Sequence, residues 1–311
     1  MIRAATLTLN PCLDRTMYFQ NRFEAGALNR ASQTVLTLGG KGINVSRFFK
    51  ILGVDAPAYG FSGGSNGDIM KKLLFEEGVE CCFTESMADT RMNIKMIDQS
   101  EVCTEANEKG GPISDLELKK LLSDLENAVE KDKYFFLGGS IPHPVDNSVY
   151  NFITQMLKDK GAKVILDCDG EALKKGIEAG PSLIKPNLFE LSGLVGKKVE
   201  TVEDALSECK RLYVEKGVEI LCTMSEKGAI FAGECGLFSV TSPRVELRGF
   251  TGAGDSFLTA FIYERERTGS VAEALKFASS AAGAKVELPG STLPTLDEMK
   301  KYISCVEICR Y

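Results

Sequence analysis

Tryptophan is absent from this sequence and histidine nearly so, which limits the chemistry available to the protein. The 311 residues include one histidine and no tryptophan. The sequence therefore has too few histidines to favour a histidine-based catalytic triad or most kinds of zinc site. His143 lies in the turn-like stretch IPHP, so we interpret it as a loop residue and not as a catalytic one.

Features that would point to nucleic-acid or membrane partners are also missing. A formal net charge of -6 argues against a broad nucleic-acid-binding surface. No run approaches the roughly 18 apolar residues that a membrane helix needs, and the stretch MIRAATLTLN lacks the apolar segment of a signal peptide. The ten cysteines include no CxxC pair, which favours reduced and mostly buried thiols. We expect a cytoplasmic protein without nucleic-acid or membrane partners.

The sequence does contain short apolar runs that alternate with helix-like stretches. Hydrophobic residues make up 44% of the chain, enough for a full core. The candidate strands are ATLTL, YFFLGG, KVILD, SLIKP, EILCTM and GAIFAG. Amphipathic patterns predict helices over Asn44–Leu52, Asp68–Glu77, Leu116–Glu130 and Val202–Lys216. This arrangement is typical of a mostly parallel, doubly wound α/β sheet, which binds ligands at the carboxyl ends of its strands.

Two segments interrupt this alternation, residues 12–38 and 83–108. In TRMNIKMID, a period of two places Arg91, Asn93 and Lys95 on one face and the apolar residues between them on the other. These segments could be ordinary half-exposed strands, or they could pair into a small sheet. We predict a β-sheet lid on an α/β domain formed by residues 1–11, 39–82 and 109–311. The apolar back of such a lid needs a cover, which predicts a homodimer formed through it.

The stretch GFTGAGDSFLTAF is the strongest local signal for chemistry. Gly252 and Gly254 permit a tight turn in which backbone N–H groups converge, and a helix begins near Asp255. A helix N-terminus stabilises negative charge, and a carboxylate in its first turn can accept a proton from an attacking hydroxyl. The alternative is a strand-to-helix loop whose aspartate only complements the helix dipole.

A second glycine-rich loop, TLGGKGINVSRFFKILG, precedes a predicted helix. Its glycines, among them Gly39 and Gly40, allow the backbone to approach a ligand closely, and Lys41 supplies a positive charge. No Ser or Thr follows a Gly-Lys pair and the spacing is not GxGxxG, which disfavours a P-loop NTPase or a dinucleotide dehydrogenase. A simple glycine-rich turn before a helix is the alternative.

Polar residues also follow two predicted strands at the end where ligands bind. In LIKPNLFEL, Pro186 breaks the strand and leaves Lys185, Asn187 and Glu190 in or beyond the break. The lysine could contact a phosphate, while the amide and the carboxylate could hold hydrated Mg²⁺. Asp14, in NPCLD, follows the first strand in the same way. Such residues are common on protein surfaces, so each cluster alone is ambiguous.

Taken together and in order, these pieces resemble the PfkB branch of the ribokinase-like carbohydrate kinases. The resemblance covers nearly the whole chain through TLNPCLD, GGKGINVSR, TRMNIK, TEANEKG, GGSIP, IKPNLFEL, TMSEKGA and GFTGAGDSF. It implies a three-layer α/β/α domain, a β lid that covers the sugar and often forms the dimer interface, and the use of ATP and Mg²⁺. Within the family, TLNP–LD, TR–NIK and TE–N are similar to the group of 1-phosphofructokinases and tagatose-6-phosphate kinases.

The resemblance also implies a role for each matching residue. Asp255 would deprotonate the acceptor hydroxyl, and the anion hole for the transferring phosphate would be the N–H groups of Gly252, Ala253 and Gly254. Sugar hydroxyls would be held by Asp14, Gly39, Gly40 and Asn44. The phosphate already on the substrate would be neutralised by Lys41, Arg91 and Lys95. The residues that would bind the nucleotide phosphates and Mg²⁺ are Lys185, Asn187 and Glu190, and the last two would hold the metal through water. The nucleotide channel would be lined by Thr223, Ser225, Gly228 and Thr251.

One position departs from the family pattern. The family usually has Ser-Leu-Gly where this chain has Thr223, Met224 and Ser225. The Cβ of Ser225 is expected to lower nucleotide affinity modestly without loss of activity. Lys285, in ASSAAGAKVE near the expected adenine end, is a further candidate contact.

These residues predict in-line transfer of the γ-phosphoryl group of ATP to a ketohexose phosphate. The basic residues of the lid favour a phosphorylated sugar over free ribose or a nucleoside. TRMNIK and the asparagine of TEAN resemble fructose-1-phosphate kinases most, so fructose 1-phosphate is the predicted acceptor. Tagatose 6-phosphate and fructose 6-phosphate are the alternatives. A non-catalytic sugar-phosphate sensor is the alternative of another class, and the intact Asp255 with its glycine turn disfavours it.

Overall fold

A computed structural model describes residues 2–100, 103–249 and 251–311. In chain order the strands are β1 (Ala4–Thr8), β2 (Cys12–Tyr18), β3 (Gln33–Gly39), β4 (Ala58–Ser62), β5 (Cys81–Glu85), β6 (Arg91–Ile97), β7 (Cys103–Asn107), β8 (Tyr134–Gly138), β9 (Lys163–Asp167), β10 (Leu183–Ile184), β11 (Glu219–Thr223), β12 (Ala229–Gly233), β13 (Gly236–Val240) and β14 (Ile308–Arg310). The helices are α1 (Lys41–Ile51), α2 (Gly64–Glu76), α3 (Asp115–Asn127), α4 (Val149–Asp159), α5 (Gly170–Ile177), α6 (Leu188–Val195), α7 (Val202–Lys216), α8 (Ala253–Thr268), α9 (Val271–Val286) and α10 (Leu296–Lys300).

The larger sheet has ten strands in the order β14-β13-β12-β11-β10-β9-β8-β1-β4-β5. From β11 to β5 all neighbours are parallel, which confirms the predicted doubly wound sheet. From β11 to β14 each strand is antiparallel to its neighbour in the sheet. The connection between β11 and β12 is too short for the crossover that parallel strands need, so these two strands form a hairpin.

Alternating residues of the parallel strands build two cores, one on each face of the sheet. Leu7 and Leu137 face the helices α3 to α7, whereas Phe136 and Ile165 face α1, α8 and α9. This is the predicted three-layer α/β/α arrangement. The carboxyl ends of the parallel strands lie at one edge of the sheet. The loops that follow β1 and β9 therefore begin at this edge.

A separate sheet of four strands, in the order β3-β2-β6-β7, confirms that the two interrupting segments pair. In its register Asp14 lies opposite Asn93, and Thr16 lies opposite Lys95. The predicted lid boundary at residue 83 needs correction. Residues 83–85 belong to β5, which pairs with β4 in the large sheet, so the small sheet resumes only at β6.

The cysteines and the helices bear on two further expectations. All ten cysteines are free, as predicted, but only Cys12, Cys168, Cys209 and Cys222 are buried. The expectation of mostly buried thiols is therefore wrong, because several cysteines lie on exposed edges such as β7 and β14. None of the helices in the described ranges is both long and apolar enough to cross a membrane.

Candidate active site

Asp255 lies in the first turn of α8, where the glycine-rich stretch ends. Gly252, which precedes the helix, has φ of 83°, a left-handed conformation that a side chain disfavours. Asp255 is buried and follows two helical residues, Ala253 and Gly254, whose N–H groups belong to the unpaired first turn. Asn44 donates from Nδ2 to Asp255 Oδ2 over 2.7 Å. The local structure thus joins a carboxylate with backbone donors, as the sequence predicted.

The charge state of Asp255 depends on its surroundings. Burial, and next the negative charge of Asp167, raise the pKa of Asp255 to about 6. Lys41, the amide of Asn44 and Lys185 act in the opposite direction. At neutral pH the group is ionised yet close to its pKa, which is the condition for an effective general base.

Asp167, at the carboxyl end of β9, joins the two basic residues of the site and was missed by sequence reasoning. Lys41 Nζ lies 2.6 Å from its Oδ1, and Lys185 Nζ lies 3.1 Å from its Oδ2. Although burial alone would raise the pKa of Asp167, the two lysines hold it below its ordinary value. Its position at the end of the strand KVILD was the available signal, because ligands bind at that edge of such a sheet.

Lys41 lies beside two carboxylates. The sequence grouped it with Arg91 and Lys95, around the phosphate of the substrate. In the structure its ion-pair partners are Asp167 and, at 3.9 Å, Glu190. Burial alone would lower the pKa of Lys41, but these carboxylates hold it well above its ordinary value. Lys41 is therefore a permanent cation beside Asp167 and Glu190.

The inner face of the small sheet carries a second polar cluster, centred on Asp14. Asn93 donates to its Oδ1 and Lys95 to its Oδ2, each over 2.9 Å. Lys95 also donates to Thr251 Oγ1 over 3.0 Å, so the lid is bonded to the glycine-rich turn. Thr251, which was predicted to line the nucleotide channel, is therefore hydrogen-bonded to this cluster.

Arg91 is the first residue of β6, at the start of a lid strand. Its guanidinium donates to the carbonyls of Asn10 and Glu108, each over 3.1 Å, and to Asn93 Oδ1 over 2.9 Å. Beside it is an open cleft of about 620 Å³, lined also by Lys109 and Gly110. Arg91 thus contacts the Asp14 cluster from one side and solvent-filled space from the other.

Asn187 and Glu190 begin α6 with a reciprocal cap. The Asn187 side chain accepts from Glu190 N, and Glu190 Oε2 accepts from Asn187 N, each over 2.9 Å. Glu190 Oε1 is the oxygen that lies near Lys41. Within the described part of the chain no cluster of three or more His, Cys, Asp or Glu could hold a metal. Mg²⁺ is usually bound by one or two carboxylates together with waters and substrate phosphates, and the Glu190 carboxylate is of the type that it takes.

Three of the residues predicted to line the nucleotide channel lie in or near the turn after β11, beside that cap. Asn187 and Thr223 form an isolated parallel bridge, and the turn after β11 contains Ser225 and Gly228. Ser225 has φ of 53° in the left-handed region, which explains why the family pattern has glycine there. Lys285 lies elsewhere: its Nζ donates to the carbonyl of Gly290, and its Cε lies 3.7 Å from the position that a Cβ on Gly252 would occupy.

The geometry therefore combines a base, backbone donors at a helix N-terminus, and two lysines beside carboxylates, of which Lys185 is buried and Lys41 half-buried. Such a set suits transfer of an anionic group, because fixed donors and cations stabilise charge that moves between oxygens. The lid cluster adds further polar groups, which the Lys95–Thr251 bond connects to the turn before α8.

Comparisons with known proteins agree with this description. The family model described as pfkB family carbohydrate kinase matches residues 7–298. A 1-phosphofructokinase of Bacillus subtilis is 38% identical over 83% of this chain and 84% of its own length. A 1-phosphofructokinase of Borreliella burgdorferi is 34% identical over 97% of both chains. The crystal structure of phosphofructokinase-2 from Escherichia coli in complex with potassium has a TM-score of 0.92 at 26% identity, covering 98% of this chain and 99% of the other.

Proposed function

This chain belongs to the pfkB family of carbohydrate kinases, and we propose that it transfers the γ-phosphoryl group of ATP to fructose 1-phosphate, giving fructose 1,6-bisphosphate. The observation that carries this proposal is the buried Asp255 at the N-terminus of α8, with Asn44 and two lysines around it. The bacterial relatives named 1-phosphofructokinase support the choice of acceptor.

In the proposed reaction the acceptor oxygen attacks the γ-phosphorus of ATP and loses its proton to Asp255, while the bond from that phosphorus to ADP breaks and ADP leaves. The N–H groups of Gly252, Ala253 and Gly254 stabilise the oxygens of the transferring phosphoryl group. Lys41, held by Asp167, neutralises the same group. Because phosphoryl transfer needs little covalent help from the protein, positioning and charge account for most of the rate.

The acceptor would lie between the lid and α1. Asn44 Oδ1 is buried and has no partner among the described residues, so it is free to accept a hydrogen bond from a sugar hydroxyl. Asp14 and the glycines Gly39 and Gly40 would bind further hydroxyls. Arg91 and Lys95 would neutralise the phosphate that the acceptor already carries. A lid closed over these groups excludes water, which competes as acceptor.

The nucleotide would bind on the other side of Asp255. Lys185 and the cap residues Asn187 and Glu190 would meet its phosphates, with Thr223, Ser225 and Gly228 along the channel. Mg²⁺, when bound, would neutralise charge on the phosphate oxygens. Glu190 and Asn187 would hold it through water, and Asp167 offers a nearby carboxylate.

We propose further that two copies associate through the lid. Arg15 is exposed, and Ile94 and Met96 are half-buried, on the face opposite Asp14. Covering such a face removes apolar surface and the exposed edges of a small sheet from water. The cytoplasmic location expected from the sequence stays a prediction.

The first test is an ADP-release assay with MgATP and fructose 1-phosphate, tagatose 6-phosphate or fructose 6-phosphate. We expect the highest kcat/KM for fructose 1-phosphate. A preference for tagatose 6-phosphate would leave the mechanism and change the acceptor. No turnover with all three, together with no thermal shift caused by MgATP, would overturn the proposed function.

Gly39→Ala should selectively weaken the acceptor site. A Cβ there would lie 2.4 Å from Cys12 Sγ and 2.9 Å from Asp14 Oδ1, so Asp14 would have to move. We expect kcat/KM for the sugar phosphate to fall roughly 10- to 100-fold, because small displacements of binding groups have effects of that size. The KM for ATP should be unchanged. Gly193→Ala, which adds a methyl with no atom within 4 Å, is the matched control. Equal effects on both substrates would contradict the assignment of Asp14.

A further inference from the structure

Lys285 is a fully buried lysine that the mechanism above does not use. It lies near the end of α9, with 0% of its surface exposed. Its Nζ donates to the carbonyl of Gly290 over 2.9 Å. Its Cε lies 3.7 Å from the position that a Cβ on Gly252 would occupy. The end of the side chain is therefore held next to the turn that begins α8, with its ammonium bonded to Gly290.

The segments around Lys285 are fastened to one another. Arg248 N and Gly249 N both donate to the carbonyl of Val286, over 2.7 and 3.1 Å. On the other side Arg47 donates to the carbonyl of Ser291 over 3.3 Å. Lys285 thus sits between the chain that enters the glycine-rich turn and the chain that follows α9. A change in its charge would act on the turn that supplies the anion hole.

The charges that face Lys285 are positive and already paired elsewhere. Arg47, from α1, forms an ion pair with Glu77, and Lys95, from β6, forms one with Asp14. Among the described residues Lys285 has no ion pair with a carboxylate. Burial, and next the charges of Arg47 and Lys95, lower the pKa of Lys285 to about 8. A buried cation without a counter-ion lowers the stability of the fold. We therefore infer that an anionic ligand supplies the counter-charge when it binds.

We propose that Lys285 is a positioning residue for phosphoryl transfer. Its ammonium supplies a fixed positive charge close to the glycine-rich turn, and this charge acts through Gly252 to stabilise the transferring phosphoryl group. This inference rests on the proposed function and deepens it. A fixed charge in a site closed to water stabilises a developing anion without reorganisation during the reaction. The arriving phosphate would in turn favour the protonated form of Lys285.

Lys285→Met tests this inference, since methionine keeps the length of the side chain and removes its charge. We expect kcat to fall roughly 10- to 100-fold, less than for loss of a direct oxyanion donor. The KM values of both substrates should change little. Lys158→Met is the matched control, because Lys158 Nζ also donates to a backbone carbonyl, that of Ala179, over 2.7 Å. Thermal unfolding of both variants reports whether the fold is kept.

The pH profile separates a charge from a packing role. Lys285 is charged below its pKa of about 8 and neutral above it, so kcat/KM of the wild type should fall as pH rises through that range. The fall should be absent in Lys285→Met and kept in Lys158→Met. A variant that loses activity but keeps the alkaline fall would show a packing role and overturn the inference.

Binding of ADP with aluminium fluoride, which mimics the transferring phosphoryl group, distinguishes failure of the inference from failure of the function. We expect Lys285→Met to bind ADP like the wild type but to lose most of the extra affinity that the fluoride complex adds. A wild type that is active, and a variant that matches it in kcat and in fluoride binding, would overturn the inference alone. A wild type that neither turns over sugar phosphates nor binds the complex would overturn both.

Discussion

Asp255→Asn is expected to lower kcat by roughly 10²–10⁴-fold, the range found when a general base is lost. The amide keeps the shape of the side chain and can still accept the hydrogen bond that Asn44 donates to Oδ2. It cannot take the proton of the acceptor hydroxyl. The KM values for ATP and for the sugar phosphate should therefore stay within a few-fold of the wild type. Steady-state kinetics with fructose 1-phosphate and MgATP measure both effects.

Asp204→Asn is the matched control for this variant. Asp204 is likewise the third residue of its helix, α7, and its carboxylate interacts with the N-terminus there. If Asp255 only complemented the dipole of α8, the two substitutions would have similar small effects on stability and none on turnover. Near-normal kcat in Asp255→Asn would remove Asp255 from the mechanism and favour that structural role.

Asp255 is also expected to determine how kcat/KM changes at acidic pH. Because the pKa of Asp255 is raised to about 6, the base is increasingly protonated as pH falls through that value. We expect kcat/KM of the wild type to decrease in this range, since the protonated carboxyl cannot act as base. In Asp255→Asn the residual activity should lack this decrease.

Local pattern was enough to predict the α/β scaffold. The strand KVILD was placed correctly at Lys163–Asp167 because strands buried on both faces are apolar throughout. The helix over Val202–Lys216 has the predicted bounds, since Thr201 and Asp204 form a capping box at its start and Gly217 follows its end. By contrast, β4 has the sequence AYGFS and β14 has only ICR, which give little periodicity to detect.

The partners of charged residues could not be predicted in the same way. Lys41 and Asp167 are separated by 126 positions, and only the parallel arrangement of β1, β8 and β9 brings them together. A local pattern shows that each is polar and close to a strand end, but not which carboxylate a lysine will face. Lys285 illustrates the same limit. It lies near the end of α9, whereas Gly252, which is close to its Cε in space, precedes α8.

Lys41→Met is the variant that decides between the two assignments of this lysine. If Lys41 neutralises the transferring phosphoryl group, kcat should fall roughly 10²–10³-fold, as for loss of a direct contact to a developing anion. The loss would also leave Asp167 with one lysine where it had two, and a carboxylate without full compensation would repel the nucleotide phosphates. We therefore expect a smaller rise in the KM for ATP and little change in the KM for the sugar phosphate.

The matched control is Lys71→Met, because Lys71 has nearly the same side-chain exposure, 31% against 33% for Lys41. It also lies between two carboxylates, Asp68 at 3.1 Å and Glu85 at 2.7 Å, but on α2 away from Asp255. Its loss should leave kcat unchanged. The opposite result for Lys41→Met, a normal kcat with a raised KM for the sugar phosphate, would restore the role that the sequence predicted. In that case Lys41 would have to exchange Asp167 for the acceptor phosphate on binding, and Lys185 alone would hold the carboxylate.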